Sequence, residues 1–148
     1  MPVPKSMRRL LHVRQLEEEQ RKAELESALG EQRRLEDAMG AAHDRERAGR
    51  AWIASSANCP DPADRIAGLV DSESAGHVTR ILAPRAAAAA ARTAALREKF
   101  LAVRVERRQV DTVIHEAEEL EALQQDRKQQ QGLDDWFGAR RHSLAGKS

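Results

Sequence analysis

A heptad repeat runs through the first third of this chain, where no proline lies between Lys5 and Ser55. Positions that share a heptad row are Leu11, Glu18, Leu25, Gln32, Met39, Glu46 and Ile53, and the row three residues later holds Ala28, Leu35, Ala42 and Gly49. Rows offset by three residues lie on one helix face, so they predict a long helix with a seam for a second helix. The polar residues in the first row predict a seam that holds its partner loosely.

A second helical pattern fills the last part of the chain. Its rows are Leu96, Val103, Val110 and Ala117, and, four residues later in register, Phe100, Arg107, Ile114 and Glu121. The run Ala86–Ala91 before them has high helix propensity and small side chains, which would let another helix approach closely. Pro84 either opens this helix or kinks an earlier turn.

The segment between the two patterns, Ser55–His77, is rich in turn-forming residues. Within it, Asp61 can cap a helix and Pro62 suits the first helical position. We therefore predict a short helix inside a connecting bend. The boundaries expected are helix 1 over about 5–55, the bend over about 56–76, helix 2 over about 77–141 and a flexible tail over 142–148.

These patterns predict an all-α fold, a long two-helix antiparallel coiled-coil hairpin that forms one domain over residues 1–148. Arms of matched length, each roughly 75–85 Å long, would bring both termini to one end. There the apolar group Leu133, Trp136 and Phe137 would face Leu10, Leu11 and Val13. Trp136 and Phe137, two of only four aromatic residues, would then act as a plug against fraying or as a contact for a partner.

The composition argues against several classes of function. Aromatic residues make up 3% of the chain and charged residues 33%, which is too little bulky apolar material for an ordinary globular enzyme. The five histidines are scattered and Cys59 has no CxxC partner, so we expect no metal, no cofactor and no catalysis. Gly30, Gly40 and Gly49 are spaced along a helix rather than clustered in a phosphate loop, and we interpret them as points of close helix approach.

Charge and hydropathy define the expected setting. The formal net charge of +1 and the lack of aromatics within a basic face argue against nucleic-acid binding. No apolar run approaches the roughly 18 residues of a membrane span, and a single cysteine fits a reducing compartment. We expect a cytoplasmic protein that does not insert into the membrane.

The segment DRKQQQGLDDWFGARR, Asp126–Arg141, together with the basic and apolar start MRRLLHVRQLEEEQRKAELE, resembles the small stalk proteins of type III secretion, of the flagellar FliJ and injectisome YscO/HrpO type. The resemblance covers nearly the whole chain as a pattern but only the last segment as a motif. Gly132 and the Ala86–Ala91 run depart from the family pattern.

The resemblance implies a central stalk that binds the pore of the hexameric secretion ATPase, links it to the export gate, and promotes ATPase assembly and export. It implies a location at the inner-membrane apparatus, a monomer when free, and export chaperones as a further candidate partner. The ATPase contacts that it implies are Arg8, Arg9, Leu10, Leu11, Trp136, Phe137, Arg140 and Arg141. Trp52 and Ile53 would contact the cytoplasmic domain of the gate.

Two other functions fit the same pattern. A dimerising scaffold would use the seam to pair two chains rather than to fold one. A helical export chaperone would bind partner helices through the seam and would not need to stimulate the ATPase.

Overall fold

The computed structural model describes residues 2–56 and 61–147, which form two helices, α1 (Lys5–Ser56) and α2 (Pro62–Ala145). No strand occurs in these residues, so the all-α prediction is confirmed for them. Helix α1 has 52 residues and α2 has 84, so the expected arms of matched length are wrong. Cys59, for which we expected no metal or redox role, lies outside the described residues.

Both helices begin where their sequences provide a start. Before α1, the carbonyl of Pro4 accepts the amide of Met7 at 3.0 Å. Before α2, Asp61 Oδ1 accepts the amide of Ala63 at 3.1 Å, and Pro62 is the first helical residue. The cap and the proline position predicted for this point are therefore confirmed.

The separate short helix predicted in the bend is wrong, because α2 has no end between Pro62 and Ala145. Pro84 lies inside α2, which excludes the alternative that it opens the helix. A proline ring removes one backbone hydrogen bond, and the alanine run that follows it, Ala86–Ala91, has the highest helix propensity available. At the other end α2 continues to Ala145, past residue 142 where we expected a flexible tail to start.

The chain divides into two compact units, each built from one stretch of each helix. The first contains Met1–Glu18 and Val103–Ser148, and its buried apolar residues are Val3 and Ile114. Ion pairs in this unit join Arg8 to Glu118, Arg14 to Glu106 and Arg107 to Glu18. Arg8 pairs with a residue further along α2 than the partners of Arg14 and Glu18, so the two helix segments run in opposite directions.

The second unit is Glu19–Ala102, and its buried residues are small ones. Ala28, Ala42 and Ala75 are buried, as is Thr93, whose hydroxyl donates to the carbonyl of Ala89 at 2.9 Å. Long-range ion pairs at 4.0 Å join Glu31 to Arg92 and Arg45 to Asp71. The pairing order again places the α1 and α2 segments of this unit in opposite directions.

Every residue of the four predicted heptad rows is buried or half-buried. The same spacing continues towards the start of α2, where the positions that follow it are again buried or half-buried: Gly68, Ser72, Ala75, Thr79, Leu82, Ala86, Ala89 and Thr93. Sequence reasoning missed this extension, because it took the glycines and Pro84 as helix breakers. The sequence feature that could have revealed these positions is the alternating spacing of three and four residues, counted backwards from Leu96.

The closest approach in the second unit is between two glycines. A Cβ on Gly49 would lie 2.9 Å from the carbonyl oxygen of Gly68, and a Cβ on Gly68 would lie 3.2 Å from the carbonyl oxygen of Gly49. The close approach predicted at Gly49 is therefore confirmed. It is wrong for Gly30 and Gly40, where a Cβ would meet no neighbouring atom within 4 Å.

Candidate functional site: the exposed end of helix α2

The last turns of α2 are exposed from residue 122 to residue 145. The heptad positions that follow Glu121 explain why, because they are Gln124, Lys128, Gln131 and Asp135. Polar residues at these positions give a second helix no apolar surface to bury. The sequence thus ends the packed seam at Glu121 while leaving the helix itself intact.

An aromatic pair marks this exposed segment. The rings of Trp136 and Phe137 lie edge to face, with centroids 5.0 Å apart and planes at 77°. The Cζ atom of Arg140 lies 5.2 Å from the Trp136 ring centroid, within cation–π distance. Trp136 is 53% exposed and Phe137 54%, so both keep most of their surface available to a partner.

Leu133 and Leu144 extend the aromatic pair along the helix. Leu133 precedes Phe137 by four residues, Leu144 follows it by seven, and both leucines are exposed. Residues at these spacings share one helix face. We call Leu133, Trp136, Phe137, Arg140 and Leu144 the terminal face.

The expected meeting of the two termini is wrong. Arg8, near the start of α1, pairs with Glu118 at 3.3 Å. Trp136 lies 18 residues beyond Glu118 on the same helix, about 27 Å further along its axis. Leu133, Trp136 and Phe137 therefore do not face the start of α1, and the aromatic pair does not plug the seam.

The eight residues expected to bind one partner consequently form two groups. Arg8, Arg9, Leu10 and Leu11 belong to the start of α1, where Leu10 is exposed and Leu11 half-buried. Trp136, Phe137, Arg140 and Arg141 belong to the exposed end of α2.

Trp52 and Ile53, the residues expected to contact the export gate, differ in their surroundings. Trp52 is exposed and lines a shallow cavity of about 260 Å³ with Gly49, Gly68 and Asp71 among its walls. Ile53 is half-buried, and its Cγ1 would lie 3.2 Å from a Cβ on Gly68. The structure thus exposes Trp52 and packs Ile53 against α2 within the second unit.

A cluster of charges interrupts the seam of the first unit. Arg107 Nε donates to Glu18 at 2.6 Å, and Asp111 lies 3.7 Å from the same guanidinium. The hydrogen bond to Glu18 raises the pKa of Arg107 above its usual value. Sequence reasoning placed Glu18 and Arg107 in the seam but did not pair them.

Arg14 adjoins this cluster, and sequence reasoning missed its role. Its Nη1 reaches both Glu17 at 3.1 Å and Glu106 at 2.9 Å. Its Nε is buried without a hydrogen-bond partner among the described residues. These charged groups form a polar layer that can fix the register between the two helix segments. The layer does not place a nucleophile beside a general base, so its role is structural.

The described residues contain no group of three or more His, Cys, Asp or Glu side chains placed to bind a metal ion. His115 Nε2 lies 3.1 Å from Glu119 on the exposed side of α2, which is one imidazole with one carboxylate. Neither described helix contains a stretch long and apolar enough to cross a bilayer.

Comparisons with known proteins add no relative, since no protein-family model, curated protein or solved structure matches this chain.

Proposed function

We propose that this chain is a central stalk of a type III secretion export apparatus, injectisome or flagellar. It would act as an antiparallel coiled-coil hairpin that binds the hexameric ATPase and links it to the export gate. In this role it is a cytoplasmic protein at the inner-membrane apparatus, it has no catalysis of its own, and it promotes ATPase assembly and export.

The observation that carries the proposal is the exposed end of α2. The end of α2 is a single helix that extends beyond the packed seam and carries Trp136, Phe137, Arg140 and Arg141. A single helix can enter an opening that is too narrow for a helix pair. Aromatic and arginine side chains are also the types that dominate binding energy at protein interfaces.

The burial pattern supports the coiled-coil part of the proposal. Positions spaced alternately by three and four residues are buried or half-buried from Leu11 to Ile53 on α1 and from Gly68 to Glu121 on α2. Such spacing is that of helices that pack knobs into holes. Glu18 and Arg107 fill seam positions with charge, which suits a shaft that has to twist.

The intrachain ion pairs support a stalk over a scaffold that uses its seam to join two chains. Glu18 pairs with Arg107 and Glu31 with Arg92 of the same chain. A seam that is filled from within leaves little surface for an identical helix.

The test is ATP hydrolysis by the secretion ATPase of the same cells, measured with the full chain and with a chain that ends at Lys128. We expect the full chain to raise the rate and the short chain to leave it unchanged. The matched point variants are Trp136→Ala with Phe137→Ala, which should lose the stimulation, and Leu120→Ala, an exposed leucine of the same helix, which should keep it.

Two results would contradict the proposal. If the full chain does not change the rate, the stalk hypothesis fails and the chaperone alternative gains support. If the chain ending at Lys128 stimulates fully, the contact lies elsewhere and the exposed end of α2 is not the ATPase-binding part.

A further inference from the structure

We propose that the terminal face pairs with the same face of a second copy of this chain, with the two helices antiparallel. The proposal does not depend on a role in secretion. It follows from the spacing of the residues on the exposed end of α2, from the charges beside them and from their exposure.

The terminal face has the geometry of a second seam. Leu133, Phe137, Arg140 and Leu144 are separated by four, three and four residues, the spacing that the packed seam of this chain also uses. They lie two residues on from the polar seam positions Gln131 and Asp135, roughly 200° around the helix. The terminal face therefore points away from the side on which α1 packs earlier in α2.

The terminal face is complementary to the terminal face of a second copy that runs in the opposite direction. One antiparallel register places Leu133 against Leu144 of the second copy and Phe137 against Arg140 of the second copy. The two-fold axis repeats both pairs, so four layers form from two kinds of contact. Arg140 already lies 5.2 Å from the Trp136 ring, and this register adds a second aromatic ring beside its guanidinium.

The flanking charges select the antiparallel direction. Asp134 and Arg141 are seven residues apart, so they occupy the same heptad position beside the terminal face. In the antiparallel register, residues at this heptad position face each other across the dimer. Asp134 of each copy therefore lies opposite Arg141 of the other copy, and the opposite charges attract. A parallel pairing in register would instead place like residues at the same level, with Phe137 beside Phe137 and Arg140 beside Arg140.

The surface available predicts a weak and reversible dimer. Leu133, Trp136, Phe137 and Leu144 are each more than half exposed, and they offer four apolar contacts per chain. A helix pair of this length buries less than the roughly 1,200 Å² of a stable interface. We expect a dissociation constant between about 10 μM and 1 mM, so the chain is a monomer when dilute and a dimer when concentrated.

The experiment is sedimentation equilibrium of the full chain from about 5 μM to about 2 mM, a range that brackets the expected dissociation constant. We expect the mean mass to rise towards twice the monomer mass. The chain with Leu133→Ala and Phe137→Ala should remain a monomer over the whole range, and the Leu120→Ala control should dimerise like the parent chain.

Charge reversal tests the register. Asp134→Arg alone and Arg141→Asp alone should each weaken the dimer at least tenfold, because each puts like charges face to face. The double variant, Asp134→Arg with Arg141→Asp, should recover the parent affinity. An equimolar mixture of the two single variants should also dimerise, since each supplies the charge that the other lacks. Circular dichroism of every variant checks that the helices persist.

Three results would overturn the proposal. They are a monomer at every concentration, a dimer that survives Leu133→Ala with Phe137→Ala, and a double charge reversal that stays as weak as the single ones. The dimer would cover the residues proposed to contact the ATPase, so ATPase stimulation is measured at a chain concentration where the monomer dominates. Either proposal can then fail without the other.

Discussion

Arg107 Nε donates a hydrogen bond of 2.6 Å to the carboxylate of Glu18, and both residues occupy seam positions where an apolar side chain would ordinarily pack. Each side chain is about a fifth exposed, 23% for Arg107 and 19% for Glu18. A charge taken out of water needs its partner, so removing one member of the pair costs more than removing both.

This asymmetry gives a mutational prediction. Arg107→Leu alone should lower the thermal unfolding midpoint, because it leaves Glu18 half-buried without its cation. Glu18→Leu with Arg107→Leu should unfold at or above the midpoint of the parent chain, because two leucines fit the heptad rows. Differential scanning calorimetry of the parent, both single variants and the double variant checks this. A double variant less stable than either single one would show that the ion pair itself stabilises the fold.

The raised pKa of Arg107 gives a prediction about pH. Because the folded-state pKa lies above the unfolded value, the stability from this interaction is fully present below the unfolded pKa and is lost only as pH rises through the folded-state pKa. The stability difference between the parent and Arg107→Leu should thus stay constant from about pH 7 to about pH 10.

Arg107→Lys provides the comparison, since an ordinary lysine titrates near pH 10.4. Its stability relative to the parent chain should fall as the pH rises from about 9 to about 11. Denaturant unfolding at each pH measures both variants. A constant difference between the parent and Arg107→Lys over this range would contradict the expectation.

The two glycine environments on α1 predict opposite outcomes for the same substitution. Gly40→Ala should stabilise the protein by about 0.5–1 kcal/mol, because a Cβ there meets no neighbouring atom within 4 Å and alanine is the better helix former. Gly49→Ala should destabilise it by about 1–3 kcal/mol, because the new methyl group would lie 2.9 Å from the Gly68 carbonyl oxygen. Equal effects of the two substitutions in urea unfolding would argue against the close approach of α1 and α2 at Gly49.

Ala75 predicts how tightly the second unit is packed. Its side chain is fully buried, so Ala75→Leu should cost about 1–3 kcal/mol through overpacking. Ala87→Leu, at an exposed position of the same helix, should change stability by no more than about 0.5 kcal/mol. Urea unfolding of the parent chain and of both variants measures these changes. If Ala75→Leu unfolds at the same urea concentration as the parent chain, the helices separate readily at position 75.

Removal of the exposed end of α2 should leave the packed part unchanged. A chain that ends at Lys128 lacks residues 129–147, all of which are exposed, so its thermal midpoint should match that of the full chain. The helical signal in circular dichroism should fall in proportion to the residues removed. A lower midpoint would show that the end of α2 packs against the rest of the protein, which would weaken its assignment as a free binding segment.

The helical rows were predictable because their physical cause is local and repeats many times. Six heptads of consistent spacing from Leu11 to Ile53 outweigh single polar interruptions, and the positions they select are buried or half-buried. The cap at Asp61 was predictable for the same reason, since a carboxylate and the following proline act within one turn.

Sequence reasoning gave too much weight to residues that disfavour helices, and this error led to the wrong expected position for the candidate site. Pro84 and Gly76 both lie inside α2, because the turns around them hold their backbone in the helix through neighbouring hydrogen bonds and packing. Placing the end of the bend at residue 76 shortened α2 at its start. That error moved the expected bend, equalised the two arms and brought Trp136 to the start of α1, where the structure does not place it.

Residues a few positions apart were enough to predict that the described chain is helical and which faces of its helices carry apolar residues. Tertiary packing sets the register between the α1 and α2 segments, the contact of Gly49 with Gly68 and the exposure of Trp136 and Phe137. A heptad pattern is satisfied equally well when two helices slide by seven residues. The choice among such registers comes from pairwise contacts such as Arg8 with Glu118, which join residues far apart in the chain.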